Sequence, residues 1–214
     1  MKCVLCQNTA LSSGVAWKRN WFTCPSCQLR FIDPSHWLSP AEEIDRYRLH
    51  TNSANDEGYV RFLMPAVESL VRYHPAGRVL DYGCGPVPVM TEMLRRAGYD
   101  VVGYDVNFLP LPDGWDHTLR ESFDAVVSTE VFEHFRDPAA EMDRIVKVLK
   151  PGGVLVVMTS IVDDSLDLAS WSYANDATHV LFYSMATFRY IARRWGFRIV
   201  DAAGNRLILL ERAI

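Results

Sequence analysis

The sequence Arg78-Val-Leu-Asp-Tyr-Gly-Cys-Gly-Pro-Val-Pro-Val89 decides how the rest of the chain is interpreted. Its apolar start indicates a buried strand that ends at Asp81. Gly83 and Gly85 follow, and glycine lets the backbone turn sharply and approach a ligand because it has no Cβ. Apolar residues then recur at helical spacing, and Gly98 is placed to end that helix. Strand, glycine turn and helix together predict a nucleotide-type site at the carboxyl edge of a parallel sheet.

The next strand of the predicted sheet ends in a second acid. Asp100-Val-Val-Gly-Tyr-Asp105 finishes about twenty residues after the glycine turn, and a carboxylate there can accept hydrogen bonds from both hydroxyls of a ribose. The dinucleotide fingerprint G-x-G-x-x-G requires glycine at position 88, where the chain has Pro88, so the pattern argues against a nicotinamide site. The pattern Asp-x-Gly-x-Gly instead resembles motif I of the class I S-adenosylmethionine-dependent methyltransferases.

Further along the chain, five pieces follow in the order that this family has. They are a strand at 123–128, the run Thr129-Glu-Val-Phe-Glu-His134, a helix capped by Asp137, the run Leu149-Lys-Pro-Gly-Gly153 and a strand at 154–159. The resemblance implies an α/β fold, a Rossmann-like sheet flanked by helices over residues 77–214, with S-adenosylmethionine as the cofactor. It implies that residues at the ends of the strands bind this cofactor: Asp81, Gly83, Gly85, Asp105, Ser128, Thr129 and Glu130.

The chain departs from the family after Asp105. Residues 107–117 contain two prolines and a glycine and leave little room before the next strand. The family usually places a helix, an edge strand and an adenine-reading acid or amide here, so we expect a sheet that is one strand short. Asp113, Trp115 and Asp116 are the candidates to replace the adenine-reading residue.

Four of the five cysteines lie in residues 1–32, as two Cys-x-x-Cys pairs. Seventeen residues separate the pairs, a spacing typical of a four-thiolate zinc site. The segment between them has aromatic residues for a small core and is too short to fold without a metal. It resembles a zinc ribbon, so we expect structural zinc on Cys3, Cys6, Cys24 and Cys27. Two redox motifs, or reduced core cysteines, are the alternatives.

Two further segments are candidate lids. Residues 33–76 predict a turn-rich linker followed by helices that precede the core, and in the family such a helix often covers the cofactor. By that analogy Tyr47 contacts the cofactor, with His50 and Asn52 beside it. Residues 160–183 are polar and aromatic, and a loop of this length is more often a substrate lid than a linker.

A second metal site is predicted after the strand at 123–128. Glu130, Glu133 and His134 share one face if the chain makes a helical turn there, and two carboxylates with an imidazole can ligate a divalent cation. The same Glu-x-x-Glu-His occurs in the ubiquinone-pathway catechol O-methyltransferases. It also occurs in the small-RNA 3′-terminal 2′-O-methyltransferases, which have a later histidine that His179 resembles in position. Either a metal activates the acceptor hydroxyl, or His134 or His179 acts as the base, with Glu133 as a third catalytic residue.

The bulk composition limits the partners. The chain is 49% hydrophobic and 22% charged with a net charge of −4, which gives no overall attraction to nucleic acid or anionic membranes. No apolar run approaches the ~18 residues of a membrane-spanning helix, and the first residues do not resemble a signal peptide. We therefore expect a cytoplasmic protein, and the resemblance to methyltransferases implies an enzyme that methylates an oxygen of a small molecule.

Two other functions stay open on the sequence. In an RNA methyltransferase the ribbon would hold RNA through Lys18, Arg19, Asn20 and Arg30, and salt would weaken that binding steeply. In a non-catalytic adaptor the chain would bind S-adenosylmethionine without transfer and contact a protein through its ribbon.

Overall fold

The structure is a computed structural model that describes residues 1–49, 53–163, 166 and 170–214. His50 and Asn52, which we expected beside the cofactor, lie outside the described residues. The described residues form eleven strands: β1 Leu11–Ala16, β2 Arg19–Thr23, β3 Arg30–Ile32, β4 Arg78–Tyr82, β5 Asp100–Tyr104, β6 Phe123–Thr129, β7 Leu149–Met158, β8 Ile161–Val162, β9 Leu181–Ser184, β10 Phe197–Ala203 and β11 Leu207–Arg212. They also form six α-helices: α1 Pro40–Tyr47, α2 Glu57–Tyr73, α3 Val89–Arg96, α4 Trp115–Thr118, α5 Pro138–Val148 and α6 Met185–Trp195.

The larger of two sheets has six strands in the order β10-β11-β7-β6-β4-β5. Strands β5, β4, β6 and β7 are parallel, and β11 and β10 complete the sheet as an antiparallel pair. The chain runs from β4 outward to β5 and then returns to the other side of β4 with β6. That reversal places a crevice at the carboxyl ends of β4 and β6, where open α/β sheets bind their ligands.

Helices cover both faces of this sheet. Leu80 of β4 packs into the cluster that contains Ile145 of α5 and Phe188 of α6. Its neighbour Val79 points to the opposite face and packs with residues of α2 and α3 such as Leu70. Successive strand residues point to opposite faces, so a strand buried on both sides needs apolar residues in succession, as Val79 and Leu80 are in β4. The fold class expected from the sequence is confirmed.

The sheet is one strand short at its β5 edge, as expected. After Asp105 the chain makes an isolated bridge between Asp105 and Leu109 and then enters the single turn of α4. In the part of the chain that the structure describes, β5 is the edge strand. The prolines at 110 and 112 account for this, because proline lacks the amide that a further strand would donate to the ladder.

The second sheet joins the N-terminal cysteine segment to the segment we expected to be a loop. Its order is β1-β2-β3-β9-β8, in which β3 pairs antiparallel with β9 through Phe31 and Leu181. The expectation of a loop throughout 160–183 is therefore wrong at its ends, where β8 and the start of β9 are strands. The pairing is a contact between residues 150 positions apart, which no local pattern encodes.

Side chains or glycine cap the helix ends, including the predicted cap at Asp137. The side chains of Asp56, Asp137 and Ser184 accept hydrogen bonds from backbone amides at the starts of α2, α5 and α6. Gly196 ends α6 with a φ of +71°, the left-handed conformation that favours glycine. Among the described residues, no helix is long and apolar enough to cross a membrane.

Candidate functional site

A cavity of about 580 Å³ opens at the carboxyl ends of β4, β5 and β6. Its volume lies in the range of small-molecule and cofactor sites. It is lined by residues that include five separate parts of the chain: the glycine turn (Asp81, Gly83, Gly85), the end of β5 (Asp105, Asn107, Phe108), the end of β6 (Thr129, Glu130, His134), helix α1 (Glu43, Tyr47) and His179. Residues predicted to bind a cofactor and residues predicted to do chemistry therefore share one cavity.

The two glycines of the turn differ in the space around them. Gly83 has a φ of +85°, and a Cβ there would lie 2.4 Å from a methyl carbon of Val131. Gly85 has a φ of +68°, and a Cβ there would meet no protein atom within 4 Å. Gly83 is thus required by packing, whereas Gly85 leaves open space on the cavity side. That space is what a bound nucleoside needs for close approach to backbone, so the turn fits the expected cofactor.

Backbone hydrogen bonds hold the Asp105 carboxylate beside the glycine turn. Its Oδ2 accepts a hydrogen bond from the Gly85 amide at 3.1 Å, and its Oδ1 accepts from the Asn107 and Phe108 amides at 2.8 and 3.1 Å. Two carboxylate oxygens offer about four acceptor positions, so three amides leave acceptor capacity for a ligand hydroxyl. The geometry is compatible with the ribose role.

Asp81 lies deeper and is 1% exposed. Thr91 Oγ1 donates a hydrogen bond to Asp81 Oδ2 at 2.6 Å. Burial raises the pKa of Asp81 to about 6, against the lowering effect of that hydrogen bond. A buried carboxyl with a shifted pKa beside a cavity is a common mark of a functional site.

Of the predicted site residues at the end of β6, some line the cavity and one does not. Thr129 and Glu130 line the cavity, whereas Ser128 is buried and donates its hydroxyl to the Tyr82 carbonyl at 3.0 Å. Glu130 has a φ of +54°, a conformation that is strained for a residue with a side chain. Burial and the charge of Glu133 raise the pKa of Glu130 to about 8, partly opposed by Arg206 at 3.3 Å.

The three candidates for reading adenine lie away from the cavity. Trp115 is buried against Tyr104, with ring centroids 4.7 Å apart, and Asp116 pairs with Lys147 Nζ at 3.0 Å. Asp113 is exposed to solvent. Residues 106–108 line the cavity in their place. The expectation was wrong because Trp115 and Asp116 lie on the single turn of α4, which packs on α5.

Glu133, His134 and His179 form a compact cluster. One potential ligand atom from each lies within 4.8 Å of the others. His134 Nδ1 lies 2.9 Å from the Thr178 carbonyl and His179 Nδ1 lies 2.7 Å from the Tyr173 carbonyl. A carbonyl only accepts, so both Nδ1 atoms carry hydrogen and both Nε2 atoms are left to act as acceptors, bases or metal ligands. Burial, and then the neighbouring His134, lower the pKa of His179, which favours its neutral, ligating form.

Glu133 is fully buried behind this pair. Thr159 Oγ1 donates a hydrogen bond to Glu133 Oε2 at 2.9 Å. The other oxygen, Oε1, is buried and has no hydrogen-bond partner among the described residues. An unpartnered buried carboxylate oxygen is costly, and a cation or a donor beside it removes the cost. With the two imidazoles, the Glu133 carboxylate completes the donor set of a two-histidine, one-carboxylate metal site, which the residues therefore fit.

Glu130, the fourth predicted ligand of that site, lies outside the cluster that the described residues form. Its carboxylate faces Arg206. The predicted helical turn is a short 3₁₀ turn at Phe132–His134, so Glu130 precedes it instead of sharing its face. The sequence spacing predicted Glu133 and His134, the two clustered residues on this turn. The resemblance predicted His179.

A wall from helix α1 closes one side of the cavity. Tyr47 donates its hydroxyl to Glu43 Oε1 at 2.7 Å, and its ring stands edge-on to His134 with centroids 5.4 Å apart. Glu43 also pairs with Arg136 at 2.9 Å. Tyr47 thus lies where the resemblance places it, against both the cavity and the histidine pair. Glu43 and Arg136 were missed, because their pairing joins segments 93 residues apart in the chain.

The four N-terminal cysteines converge as predicted. Cys3 Sγ lies 3.5 Å from Cys27 Sγ, Cys6 Sγ lies 3.4 Å from Cys24 Sγ, and all four sulfurs lie within 4.8 Å of one another. Four thiolates around tetrahedral zinc, at Zn–S of ~2.3 Å, are spaced about 3.8 Å apart. The Cys27 thiol, and after it the backbone amides of Cys6 and Leu5, lower the pKa of Cys3 to about 5. The set fits a closed structural zinc site.

The four residues proposed to hold RNA are not equivalent. Lys18 and Asn20 are exposed and Arg30 is partly exposed. Arg19 is 8% exposed, and its guanidinium donates to the backbone carbonyls of Ala174, Asp176 and His179. Arg19 as an RNA contact is therefore wrong, since its donors face the interior of the protein.

Comparison with known proteins gives the family. Residues 47–202 match the family model described as "Methyltransferase domain". A ubiquinone biosynthesis O-methyltransferase of Hahella chejuensis is 34% identical over 105 residues, covering 40% of this chain and 44% of that protein. Its counterpart in Psychrobacter cryohalolentis is 36% identical over 104 residues, covering 38% and 40%. The chain thus spans less than half the length of these curated relatives.

Solved structures agree on the fold. The 1,6-didemethyltoxoflavin-N1-methyltransferase of Burkholderia thailandensis, solved with S-adenosylhomocysteine, is 17% identical with a TM-score of 0.57, covering 95% of this chain and 99% of that one. The PH0226 protein of Pyrococcus horikoshii is 17% identical with a TM-score of 0.56, covering 79% and 99%. At these identities the likeness establishes the fold alone. The family model covers most of the chain, and the glycine turn lies at the carboxyl ends of the parallel strands. The protein therefore belongs to the class I S-adenosylmethionine-dependent methyltransferases.

Proposed function

We propose that this protein transfers a methyl group from S-adenosylmethionine to a hydroxyl oxygen of a small molecule. We propose further that Glu133, His134 and His179 hold a divalent cation that takes part in the transfer. The observation that supports this most is the shared cavity, which is lined by Gly85 and Asp105 on one side and by His134 and His179 on the other. Methyl transfer is an in-line displacement, so donor and acceptor must be held in one enclosed space.

The cofactor would lie along the strand ends. Gly83 and Gly85 would admit it close to backbone, Asp105 would accept its ribose hydroxyls, and Asp81, Thr129, Glu130 and Tyr47 would surround the rest. Ser128 would act indirectly, by fixing the Tyr82 carbonyl at the start of the turn. When bound, S-adenosylmethionine supplies the electrophilic methyl group. The protein's part is to orient the donor and to keep water from the acceptor.

The cation would be held by Glu133 Oε1 and by the Nε2 atoms of the two histidines. Such a cation lowers the pKa of an acceptor hydroxyl and orients it. The backbone carbonyls of Thr178 and Tyr173 fix the tautomer and direction of the two rings, which is the usual second layer of support in such sites. The O-methyltransferases among the curated relatives support oxygen as the acceptor atom.

A second mechanism uses the same residues without a cation. An imidazole whose Nδ1 donates to a carbonyl presents a basic Nε2, which can take the proton of the acceptor hydroxyl. The lowered pKa of His179 keeps that nitrogen unprotonated near neutral pH. Both mechanisms need His134 and His179, and they differ in their dependence on a metal.

We also propose that Cys3, Cys6, Cys24 and Cys27 hold zinc in a structural role. Four protein ligands fill the tetrahedron of zinc and leave no position for substrate. Zinc there would stabilise a segment whose own apolar core is small.

The test uses methyl-labelled S-adenosylmethionine, catechol as the acceptor probe, and added Mg²⁺ after treatment with a chelator. We expect labelled product that requires Mg²⁺, and a loss of about 10²- to 10⁴-fold in His134→Gln and His179→Gln. His36→Gln, an exposed histidine outside the cavity, is the matched control and should transfer normally.

The other outcomes separate the alternatives. Transfer that needs both histidines but no metal would support the base mechanism and overturn the cation. Full transfer by both histidine variants would overturn the assignment of the site. Tight binding of S-adenosylhomocysteine without transfer to any hydroxylated acceptor would favour a non-catalytic adaptor.

A further inference from the structure

Arg19 of the cysteine ribbon reaches the segment that carries His179. Its guanidinium donates to the His179 carbonyl at 3.2 Å, to the Asp176 carbonyl at 3.1 Å and to the Ala174 carbonyl. One planar cation thus satisfies three acceptors within six residues of chain. Burial lowers the pKa of Arg19, opposed by the charge of Asp176, and so large a cation is kept inside a protein only where its donors are used.

Two backbone hydrogen bonds connect the ribbon to Glu133. The Ile32 amide donates to the Val180 carbonyl at 2.9 Å, and the Val180 amide donates to the Glu133 carbonyl at 2.9 Å. The residue after His179 therefore lies between the last strand of the ribbon and the turn that carries Glu133 and His134. His179 contacts Arg19 of the ribbon directly, and Glu133 is connected to the ribbon through Val180. His134 contacts His179, so it is connected to the ribbon through that residue.

Side chains fill the same junction. Trp21 of β2 is 1% exposed and packs on Phe182 of β9, with ring centroids 4.5 Å apart. Trp21, Phe182, Ala174 and Ile32 belong to one buried cluster, against which Tyr173 also packs. Tyr173 contributes the carbonyl that receives His179 Nδ1–H. The ribbon is therefore packed against the segment that carries Tyr173 and His179 and is not a separate module.

We propose that Arg19 is a positioning residue for His179, and that the ribbon serves to hold the histidine cluster in place. By placing the Ala174–His179 carbonyls, Arg19 fixes the loop whose Tyr173 carbonyl selects the Nδ1–H tautomer of His179. The cofactor turn lies on other elements and does not depend on it. This inference rests on the proposed role of His179 in the cavity.

The test compares Arg19→Met with Lys18→Met, which removes an exposed charge from the same hairpin. In metal-free protein, long-range ¹H–¹⁵N NMR of the imidazoles reports the tautomer of His179, assigned with His179→Gln. We expect the Nδ1–H form in the wild type and in Lys18→Met, and a mixture of tautomers in Arg19→Met. Affinity for S-adenosylhomocysteine should be unchanged, while catechol methylation falls by about 10- to 100-fold.

A folded Arg19→Met protein with the wild-type His179 spectrum would overturn the proposal. If Arg19→Met does not fold, Arg19→Lys replaces it, because a single ammonium cannot span three carbonyls. A smaller shift toward mixed tautomers is then expected, and a wild-type spectrum would overturn the proposal. Failure of the proposed function is seen separately, as full methyl transfer by His179→Gln, since the tautomer is read without turnover.

Discussion

His134 and His179 stand edge to face with ring centroids 4.9 Å apart, and each gives its Nδ1 hydrogen to a backbone carbonyl of the same loop. Two imidazoles so close would repel if both were charged, and the neighbouring His134 contributes to lowering the pKa of His179. The lowered pKa favours the neutral form of His179, and neither Nε2 atom takes part in these two hydrogen bonds. Glu133 belongs to the same cluster, and its Oε1 has no hydrogen-bond partner among the described residues. We propose that these groups bind a cation at the wall of the cavity.

The two glycines of the turn should respond differently to alanine. Gly83→Ala would place a methyl group 2.4 Å from Val131, so we expect a loss of about 1–3 kcal/mol in unfolding free energy. Gly85→Ala meets no protein atom, so its loss of stability should be limited to the strain of a side chain at a φ of +68°, about 1 kcal/mol. Its methyl group would fill the cavity side of the turn, so weaker S-adenosylhomocysteine binding should be its main effect. Urea unfolding and calorimetric titration of both variants check this. Equal binding loss without any difference in stability would contradict the division of roles.

Asp81 should make stability depend on pH. Its pKa is raised by burial to about 6, so the folded state keeps a proton that the unfolded chain releases above pH ~4. The stabilisation is complete at pH below ~4 and is lost as the pH rises through about 6. Unfolding free energy of the wild type, relative to Asp81→Asn, should therefore fall by about 3 kcal/mol between pH 4 and 7. Urea unfolding at several pH values measures it, and parallel curves for both proteins would refute the shift.

Glu130 should contribute to cofactor binding while its backbone is held in a strained conformation. Glu130→Gly relieves a φ of +54°, and Glu121→Gly does the same at a φ of +48° away from the cavity. Relief of strain and the added freedom of the unfolded chain oppose each other, so both unfolding free energies should change by less than ~1 kcal/mol. Only Glu130→Gly should weaken the binding of S-adenosylhomocysteine, by about tenfold, because it removes a hydrogen-bonding carboxyl group that lines the cavity. Matching affinities in the two variants would count against a cofactor role for Glu130.

Zinc should be bound by the N-terminal cysteines alone. Elemental analysis of the wild type and of Cys84→Ser should give one zinc per chain, whereas Cys24→Ser should lose it and melt at a lower temperature. Cys84 is the matched control, since it lines the cofactor cavity instead. Undiminished zinc in Cys24→Ser would contradict the four-thiolate site.

The features predicted from sequence are those encoded locally. The strand, glycine turn and helix from Arg78 to Gly98 follow from residue type and spacing over a few residues, as does the cap at Asp137. The pairing of β3 with β9, the burial of Arg19 and the contact of Thr159 with Glu133 join distant segments. Each depends on how the chain folds back on itself, which a period or a motif does not encode. The adenine-reading candidates failed for a related reason, because α4 packs on α5, a helix from a later part of the chain.

The most direct test of the central claim asks whether a cation at the histidine cluster lies next to the donor methyl group. Mn²⁺ is added to protein saturated with S-adenosylmethionine labelled with ¹³C at the methyl carbon or at adenine C8, and the paramagnetic relaxation of each carbon is measured. We predict strong relaxation of the methyl carbon, weaker relaxation of C8, and loss of both effects in the His134→Gln, His179→Gln double variant. A bound cofactor whose methyl carbon relaxes no faster than it does in that double variant would contradict the account.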